Sequence, residues 1–504
     1  MKTIEIVPKI EVDSKEKLAL VYTPGVAKSS TAIKEDYDKV FDLTNRSNSV
    51  AVISFDYNDS LKRAVYLKET YGVDAYPIEI KEDKLPADTA ARKNELEFVI
   101  DNIMPNFMGV DKALIEDGGW NSAFDIPIMS KGCILPDDIK PENLEAVELR
   151  RLYGGVIETK VVDCAGFDMA GGHKKPVAIV SDGSAVLGLG NVGAEAGLPV
   201  MEGKAVLFKS LGGADAMPLC LKTQVPSEIE RIVYLLEGSF SGINLEDIGA
   251  PRCFEIEENL IKKLDIPVFH DDQHGTAIVV LAGLLNAMKV VNKNLADVKV
   301  VFSGAGAAGQ AIAKLLIKMR ECLSGSNQGG KGIIMFDKAG AVYKGRAGND
   351  PSLDKMAGMT NYEGFDGTLK EGIKGADVFI GVSAKGVLTE DMVKTMAENP
   401  VIFALANPEP EILPDKAIAA GAKIAASGRS DFNNQINNSL VFPGLFRGVI
   451  DNDVKKIDDR VKIEAALVLA EIVSDEKLNE NYIIPDALDK KVPLGLQKIF
   501  EHVE

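Results

Sequence analysis

The sequence predicts an α/β protein with two main domains and a folded insertion, on three observations. Runs of β-branched residues alternate with helical patterns, as in VKVVFSG ahead of AGQAIAKLLIKMR (298–320), which reads as largely parallel sheet covered by helices. At 504 residues and 46% hydrophobic content, the chain can bury more than one large core, so a single small module is excluded. One glycine-rich turn stands between a strand pattern and an uninterrupted helix pattern, the arrangement of a Rossmann-type dinucleotide domain.

Composition narrows the function classes. A net charge of −18 disfavours nucleic acid and anionic membranes as partners. It also repels an anionic substrate at long range, so a small acid needs a locally positive pocket or a bound cation. Cys133, Cys164, Cys220, Cys253 and Cys322 are widely spaced and odd in number, with no C-x-x-C pair, which argues for reduced thiols over a disulfide framework or a zinc site. The apolar run AIVVLAGLLNAM (277–288) is shorter than a bilayer-spanning helix, and MKTIEIVPKIEV lacks the apolar core of a signal peptide. A soluble, cytoplasmic protein acting on a small molecule is expected.

Along the chain, SNSVAVISFDYNDS (47–60) and KKPVAIVSDGSAVL (174–187) are partly self-similar, each a buried strand pattern ending in a polar turn, a likeness that two strands of one sheet could show by chance. A helix gives way to a polar stretch and a new strand within KVVNKNLADVKVV (289–301), and a second break falls in GVIDNDVKKIDDR (448–460). The expected domains are therefore 1–295, 296–450 as the Rossmann domain, and a helical segment 451–504 packing back on the body.

Two segments match G-x-G-x-x-G, a weak pattern alone. The first, with Gly188, Gly190 and Gly193, runs into Gly197 and Pro199, which leaves little room for a long helix. The second, GAGAAG, places Gly304, Ala305, Gly306, Ala307, Ala308 and Gly309 between strand and helix patterns. There the first glycine allows the tight turn, the second lets the backbone approach a pyrophosphate, and the third packs helix on strand. The next strand pattern, GIIMFD, ends in Asp337, placed to accept the adenosine ribose hydroxyls. Such an acid favours NAD over NADP by repelling a 2′-phosphate, with Lys338 as a partial offset.

Glu246 with Asp247, and Asp271 with Asp272, each follow an apolar run that reads as a strand. Convergent carboxylates without cysteine would make a hard oxygen site for Mg²⁺ or Mn²⁺, and solvated turns are the alternative. His270 and His274 are four apart, but the sequence between them lacks the glutamate of a zinc protease helix, and Pro267 just upstream favours a turn.

These residues resemble the malic enzyme family, in particular its shorter bacterial type. The matching blocks are YTPGVA (22–27), VAIVSDGSAVLGLGNVGAEAGLPVMEGKAVLFK (177–209), INLEDIGAPRCFEIE (243–257), FHDDQHGTAIV (269–279), LANPEPEI (405–412) and SGRSDFNNQINNSLVFPGLFRG (427–448), in the family's order. The resemblance implies a substrate and metal domain ahead of the Rossmann domain, and oxidation of L-malate by NAD or NADP with decarboxylation to pyruvate at Mg²⁺ or Mn²⁺. It implies Lys204 as the base at the C2 hydroxyl, for which a free lysine pKa of ~10.4 must be depressed by the site. It further implies Tyr22 as the acid at C3, Asp271 as an acid assisting proton transfer near Lys204, and Glu246, Asp247 and Asp272 as metal ligands. Asn407, on both cofactor and substrate, and Asn438 are implied as amides that meet the bound molecules. Arg46 would help hold a dicarboxylate, and a homodimer or higher homo-oligomer is implied, with Tyr22 completing a neighbouring subunit's site.

The chain departs from that pattern in two places. About 125 residues, 53–175 with the single Trp120, interrupt the short-form order and read as a folded insertion. Lys222 stands where the short forms suggest an acid, and DGSAVLG offers no arginine for the substrate's C1 carboxylate. Rival readings are a malolactic enzyme, a dehydrogenase without decarboxylation, and an inactive nucleotide-binding regulatory protein.

Overall fold

The computed structural model describes residues 2–502 except 23–24, 72, 108, 112–155, 164–174 and 187; Trp120, Cys133 and Cys164 lie outside the described residues. The chain divides into two compact units, Met1–Phe269 with Val449–Lys456, and His270–Gly448 with Ile457–Glu504. The apolar helix that begins at Asp271 falls in the second unit, where it packs on that unit's helices, whereas the sequence reading ended the first domain at 295.

In the first unit, β1 (Lys2–Pro8) leads to α1 (Lys15–Val21), capped by the Ser14 side chain, and α2 (Val26–Glu35). β2 (Ser49–Ser54) runs into the segment expected as an insertion, which continues with α3 (Tyr57–Tyr71), β3 (Asp74–Glu79), α4 (Thr89–Ile103) and β4 (Gly109–Asp111); the three strands form a parallel sheet in the order β3-β2-β4. β2 and β3 are buried along their whole length, β2 as its apolar run requires and β3 with its end carboxylates Asp74 and Glu79 paired to Lys68 and Lys175. The closing strand β5 (Ile157–Asp163) pairs antiparallel with β1, Lys2 opposite Asp163, so the described part of the segment is woven into its unit.

A second sheet, in the order β7-β6-β8-β9, carries β6 (Val177–Ser181), α5 (Gly193–Gly212), β7 (Ala216–Cys220), β8 (Gly242–Leu245), α6 (Arg252–Lys263) and β9 (Val268–His270). β2 and β6, the self-similar pair, are interior strands of two different sheets, not of one. α5 also corrects an expectation. It runs 20 residues through Gly197 and Pro199, so the first glycine motif does precede a long helix.

In the second unit, α7 (Asp271–Val291) contains the run 277–288 within a 21-residue helix long and apolar enough to cross a membrane. Length therefore does not exclude a span as the shorter run suggested, but 72% of the stretch is buried inside the protein. The six-stranded sheet, β12-β11-β10-β13-β14-β15, is parallel except for its edge hairpin. Its strands are β10 (Val300–Ser303), β11 (Ile333–Asp337), β12 (Gly340–Ala341), β13 (Val378–Gly381), β14 (Val401–Ala404) and β15 (Ile424–Ser427). α8 (Ala307–Ser324) follows β10, which has β11 on one side and β13 on the other, so strand order reverses there. α9 (Asp459–Ile472) packs on α7 and α8.

Candidate active site

The acidic site grows from two adjacent strand ends. β8 hands over to Glu246 and Asp247, and β9, joined to β8 by the Ile243 N–H donating to the Pro267 carbonyl at 2.8 Å, hands over to Asp271 and Asp272. In an extended strand, neighbouring side chains point to opposite faces. Asp247 breaks that alternation with φ +53°, a left-handed conformation that aspartate tolerates better than most residues. Glu246, Asp247 and Asp272 consequently bring carboxylate oxygens within 4.8 Å of one another.

Lys204 reaches this cluster from α5. Its side chain is fully buried, and Nζ donates to Glu246 Oε2 at 2.6 Å, while Asn244 Nδ2 donates to the same oxygen at 3.2 Å. A lysine with no solvent contact needs such a partner, because an isolated buried charge is expensive. Gly193, the last glycine of the first G-x-G-x-x-G motif, serves the start of this helix: the Val192 and Gly193 N–H groups donate to the Gly183 carbonyl, and a Cβ on Gly183 would lie 2.1 Å from the Gly193 carbonyl oxygen.

Tyr22, buried, ends α1, which packs together with α2 on α5. Arg46 is engaged elsewhere. It donates to the Tyr37 hydroxyl at 2.9 Å and the Phe107 carbonyl at 3.4 Å, with its guanidinium over the Tyr37 and Phe41 rings. Lys222 follows β7 and is exposed. His270 contacts Asp272 at 3.2 Å and Gln273 at 2.7 Å, and neither it nor His274 belongs to the carboxylate group.

Asp271 opens α7 and is buried. A Cβ on Gly275 would fall 1.9 Å from Asp271 Oδ1 and 3.1 Å from the Asn438 Cβ, so Gly275 is the gap that lets Asp271 and Asn438 share one face of the helix.

The nucleotide candidate lies wholly in the second unit, at the reversal of strand order after β10. Gly304 has φ +112°, and a Cβ there would meet the Val382 carbonyl oxygen at 2.6 Å; a Cβ on Gly309 would sit 2.0 Å from the Gly304 carbonyl oxygen. Gly306, the N-cap of α8, faces open space, with nothing within 4 Å of an added Cβ. Its neighbours Ala305, Ala307 and Ala308 complete the turn, with Gln310 Nε2 bonded to the Ala305 carbonyl at 3.0 Å. Two glycines are thus needed for packing and one leaves a free approach to the helix N-terminus.

Asp337 ends β11 as expected, but not as a lone acid. Arg346 grips both its oxygens, Nη1 to Oδ1 at 2.8 Å and Nη2 to Oδ2, and holds its carboxyl below the usual aspartate range. Sequence reasoning missed Arg346, since nothing in YKGRAG marks a partner nine residues away. It also missed Glu411, fully buried within the quoted LANPEPEI block. Glu411 accepts from the Ser383 N–H at 2.7 Å and the Ala406 N–H at 3.1 Å, and Ser383 Oγ lies 2.8 Å from Ser303 Oγ. This carboxylate therefore ties the chain after β13 to the chain after β14, beside Asn407, whose amide lies 3.4 Å from the Leu405 carbonyl.

The donor chemistry fits a hard divalent cation: three carboxylates, no sulfur and no histidine in the group. The open Gly306 backbone likewise fits a dinucleotide phosphate. Together they describe a Rossmann-type α/β protein with a glycine turn open to a dinucleotide and an acidic group suited to Mg²⁺ or Mn²⁺.

Similarity to known proteins places it within that class. The family model described as malic enzyme, NAD binding domain, matches residues 273–491, and that of the malic enzyme N-terminal domain matches 165–231. The bifunctional malic/malolactic enzyme of Bacillus subtilis is 53% identical over 64% of this chain and 77% of its own length. The NAD-dependent malic enzyme of Geobacillus stearothermophilus is 51% identical over 63% of this chain and 65% of its own. Among solved structures, the NAD-dependent malic enzyme of Thermotoga maritima matches with TM-score 0.61 at 44% identity, covering 65% of this chain and 84% of that one. The malic enzyme of Pyrococcus horikoshii matches with TM-score 0.60 at 33% identity, covering 98% and 84%. The chain belongs to the malic enzyme family.

Proposed function

We propose that the protein oxidises L-malate with NAD or NADP and decarboxylates the product, giving pyruvate, CO₂ and the reduced nucleotide. The observation that carries the reading is the fully buried Lys204 Nζ, 2.6 Å from a carboxylate of the three-acid group. When bound, the divalent cation supplies Lewis-acid polarisation of the C2 oxygen and the nucleotide supplies the hydride acceptor. Glu246, Asp247 and Asp272 would hold the cation. With Glu246 drawn to the cation, Lys204 is released from its pair with that carboxylate and, as the neutral amine, takes the proton of the C2 hydroxyl as hydride leaves C2, and Asp271 assists that transfer. After CO₂ departs, Tyr22 returns a proton to C3. Asn407 and Asn438 donate amide hydrogen bonds that orient the bound acid and nucleotide, Asn407 contacting both. Gly304 to Gly309 form the pyrophosphate cradle, with Asp337 at the ribose.

The working protein is a soluble, cytoplasmic homodimer or higher homo-oligomer in which Tyr22 completes a neighbouring subunit's site. Mixing Tyr22→Phe and Lys204→Gln chains tests this: restored activity in the hybrid supports a shared site, and none argues for a site within one chain.

The name of the Bacillus subtilis relative favours one further reading, the malolactic reaction, which yields lactate with no net nucleotide reduction. Absorbance at 340 nm, with L-malate, Mn²⁺ and NAD or NADP, distinguishes the two when pyruvate, lactate and CO₂ are assayed in the same vessel. Reduced nucleotide equal to pyruvate and CO₂ supports the oxidative reaction; lactate without it supports the other; no metal-dependent turnover removes both.

A further inference from the structure

Malate carries two carboxylates into a site lined by acids, and beside the divalent ion the basic side chains considered so far have other work. Lys204 is reserved for the C2 hydroxyl, Arg46 lies over the Tyr37 and Phe41 rings, and Lys222 is exposed. Arg252 is different. It opens α6 immediately after the turn that follows β8, and its Nη2 donates to Asp182 Oδ2 at 2.8 Å; Asp182 follows β6 directly. β6 lies between β7 and β8, so this pair spans the crevice where strand order reverses, the place where α/β sheets bind ligands.

Short contacts tie the pair to the acidic group. Ser184 Oγ accepts the Gly249 N–H at 2.8 Å, the Ala185 N–H donates to the Asp247 carbonyl at 2.9 Å, and the Glu246 N–H donates to the Val180 carbonyl at 2.9 Å. Within this frame Arg252 Nε is buried with no hydrogen-bond partner among the described residues, although 29% of the side chain remains exposed. Its Nη1 has no protein partner among the described residues and is not sealed from solvent, so a substrate carboxylate can accept from it beside the Nη2–Asp182 pair.

We propose that Arg252 binds the C1 carboxylate of the substrate, an assignment that rests on the malate-decarboxylating reading above. The choice of C1 follows from the chemistry. The C4 carboxylate must give up its charge as the C3–C4 bond breaks and CO₂ leaves, so a guanidinium held on C4 would stabilise the ground state against that step. C1 keeps its charge from malate through the enolate to pyruvate, and holding it costs the reaction nothing. Asp182 positions the guanidinium from the opposite strand.

Arg252→Gln and Arg252→Lys test this in the full-length protein with Mn²⁺. Oxalate is the probe, because it reproduces the C1 carboxylate and C2 oxygen of the enolate without a C4 carboxylate. For Arg252→Gln the expected result is a parallel rise of about 10- to 100-fold in the malate KM and in the calorimetric Kd for oxalate, measured without nucleotide. The NAD Kd and the melting temperature should not move. Arg252→Lys, which keeps the charge but loses the fork, should give a smaller rise in both. A malate KM that rises while oxalate binding is unchanged would place Arg252 on C4 and overturn the assignment. So would no change in either constant, or a fall in melting temperature in both variants matching the loss of affinity, which marks a packing role. If the unaltered protein shows no metal-dependent malate turnover, the reaction itself is wrong; indifference of the variants in an active enzyme removes only the arginine.

Discussion

At the scale of single residues, charge pairing decides what each group can do. Asp337 would repel the 2′-phosphate of NADP if it stood alone, but Arg346 holds both its oxygens and a surface lysine, Lys338, follows it. Removing the acid leaves Arg346 without its main anion, in a turn where a ribose phosphate can take its place. Asp337→Ser is therefore expected to raise kcat/KM for NADP relative to NAD by about 10-fold, the order of one charge-assisted hydrogen bond. Steady-state kinetics with both nucleotides check it, and an unchanged ratio would show that neither side chain meets the ribose. Lys204 and Glu246 give the same lesson in the interior. They stand 42 residues apart, and each makes the other's burial tolerable.

At the scale of elements, the glycine turn separates folding from binding. A Cβ at Gly309 would strike the Gly304 carbonyl oxygen, whereas one at Gly306 meets no protein atom within 4 Å. Gly309→Ala should therefore lower stability by about 1–3 kcal/mol, the usual cost of overpacking. Gly306→Ala should leave the melting temperature near that of the unaltered protein but raise the NAD Kd several-fold. Calorimetry and nucleotide titration of the two variants check the contrast, which disappears if both lose stability together.

Glu411 acts at the same scale by fastening two strand-end loops. Burial outweighs its two backbone N–H bonds and pushes its carboxyl above the ordinary glutamate range. In the window between its unfolded and folded values, the folded state holds a proton that the unfolded chain has released, so stability falls as pH rises through that window. Glu411→Gln is uncharged throughout and should flatten the fall. Its amide also places a donor against one of the two N–H groups, at a cost of about 1–3 kcal/mol in the low-pH plateau. Melting curves at a series of pH values decide this, and parallel profiles for the two proteins would count against it.

At the scale of the whole molecule, the acidic group concentrates negative charge in a chain already at −18. A divalent ion that binds only the folded state stabilises it by about 2.7 kcal/mol at 100 times its Kd. Mn²⁺ should raise the melting temperature of the unaltered protein and of Tyr22→Phe alike, and the rise should be lost in Asp272→Asn. Scanning calorimetry with and without EDTA measures this. An equal rise in Asp272→Asn would move the ion to another site.

The fold class, the glycine turn between β10 and α8 and the adjacent acids at strand ends were legible in the sequence, because periodicity, turn chemistry and helix signals are local properties written in neighbouring residues. The family followed from motif order for the same reason. Other features depended on partners brought together only by strand order and packing. Arg346 meets Asp337 across a hairpin, Arg252 meets Asp182 across 70 residues, and Glu411 holds two separate loops. The self-similar strands β2 and β6 look alike locally, yet they lie in different sheets. The helix that began as a short apolar run belongs to the second unit. Local pattern states which element forms and which face it buries. Which distant side chain meets it is set by the order in which the elements pack, and only the tertiary structure contains that.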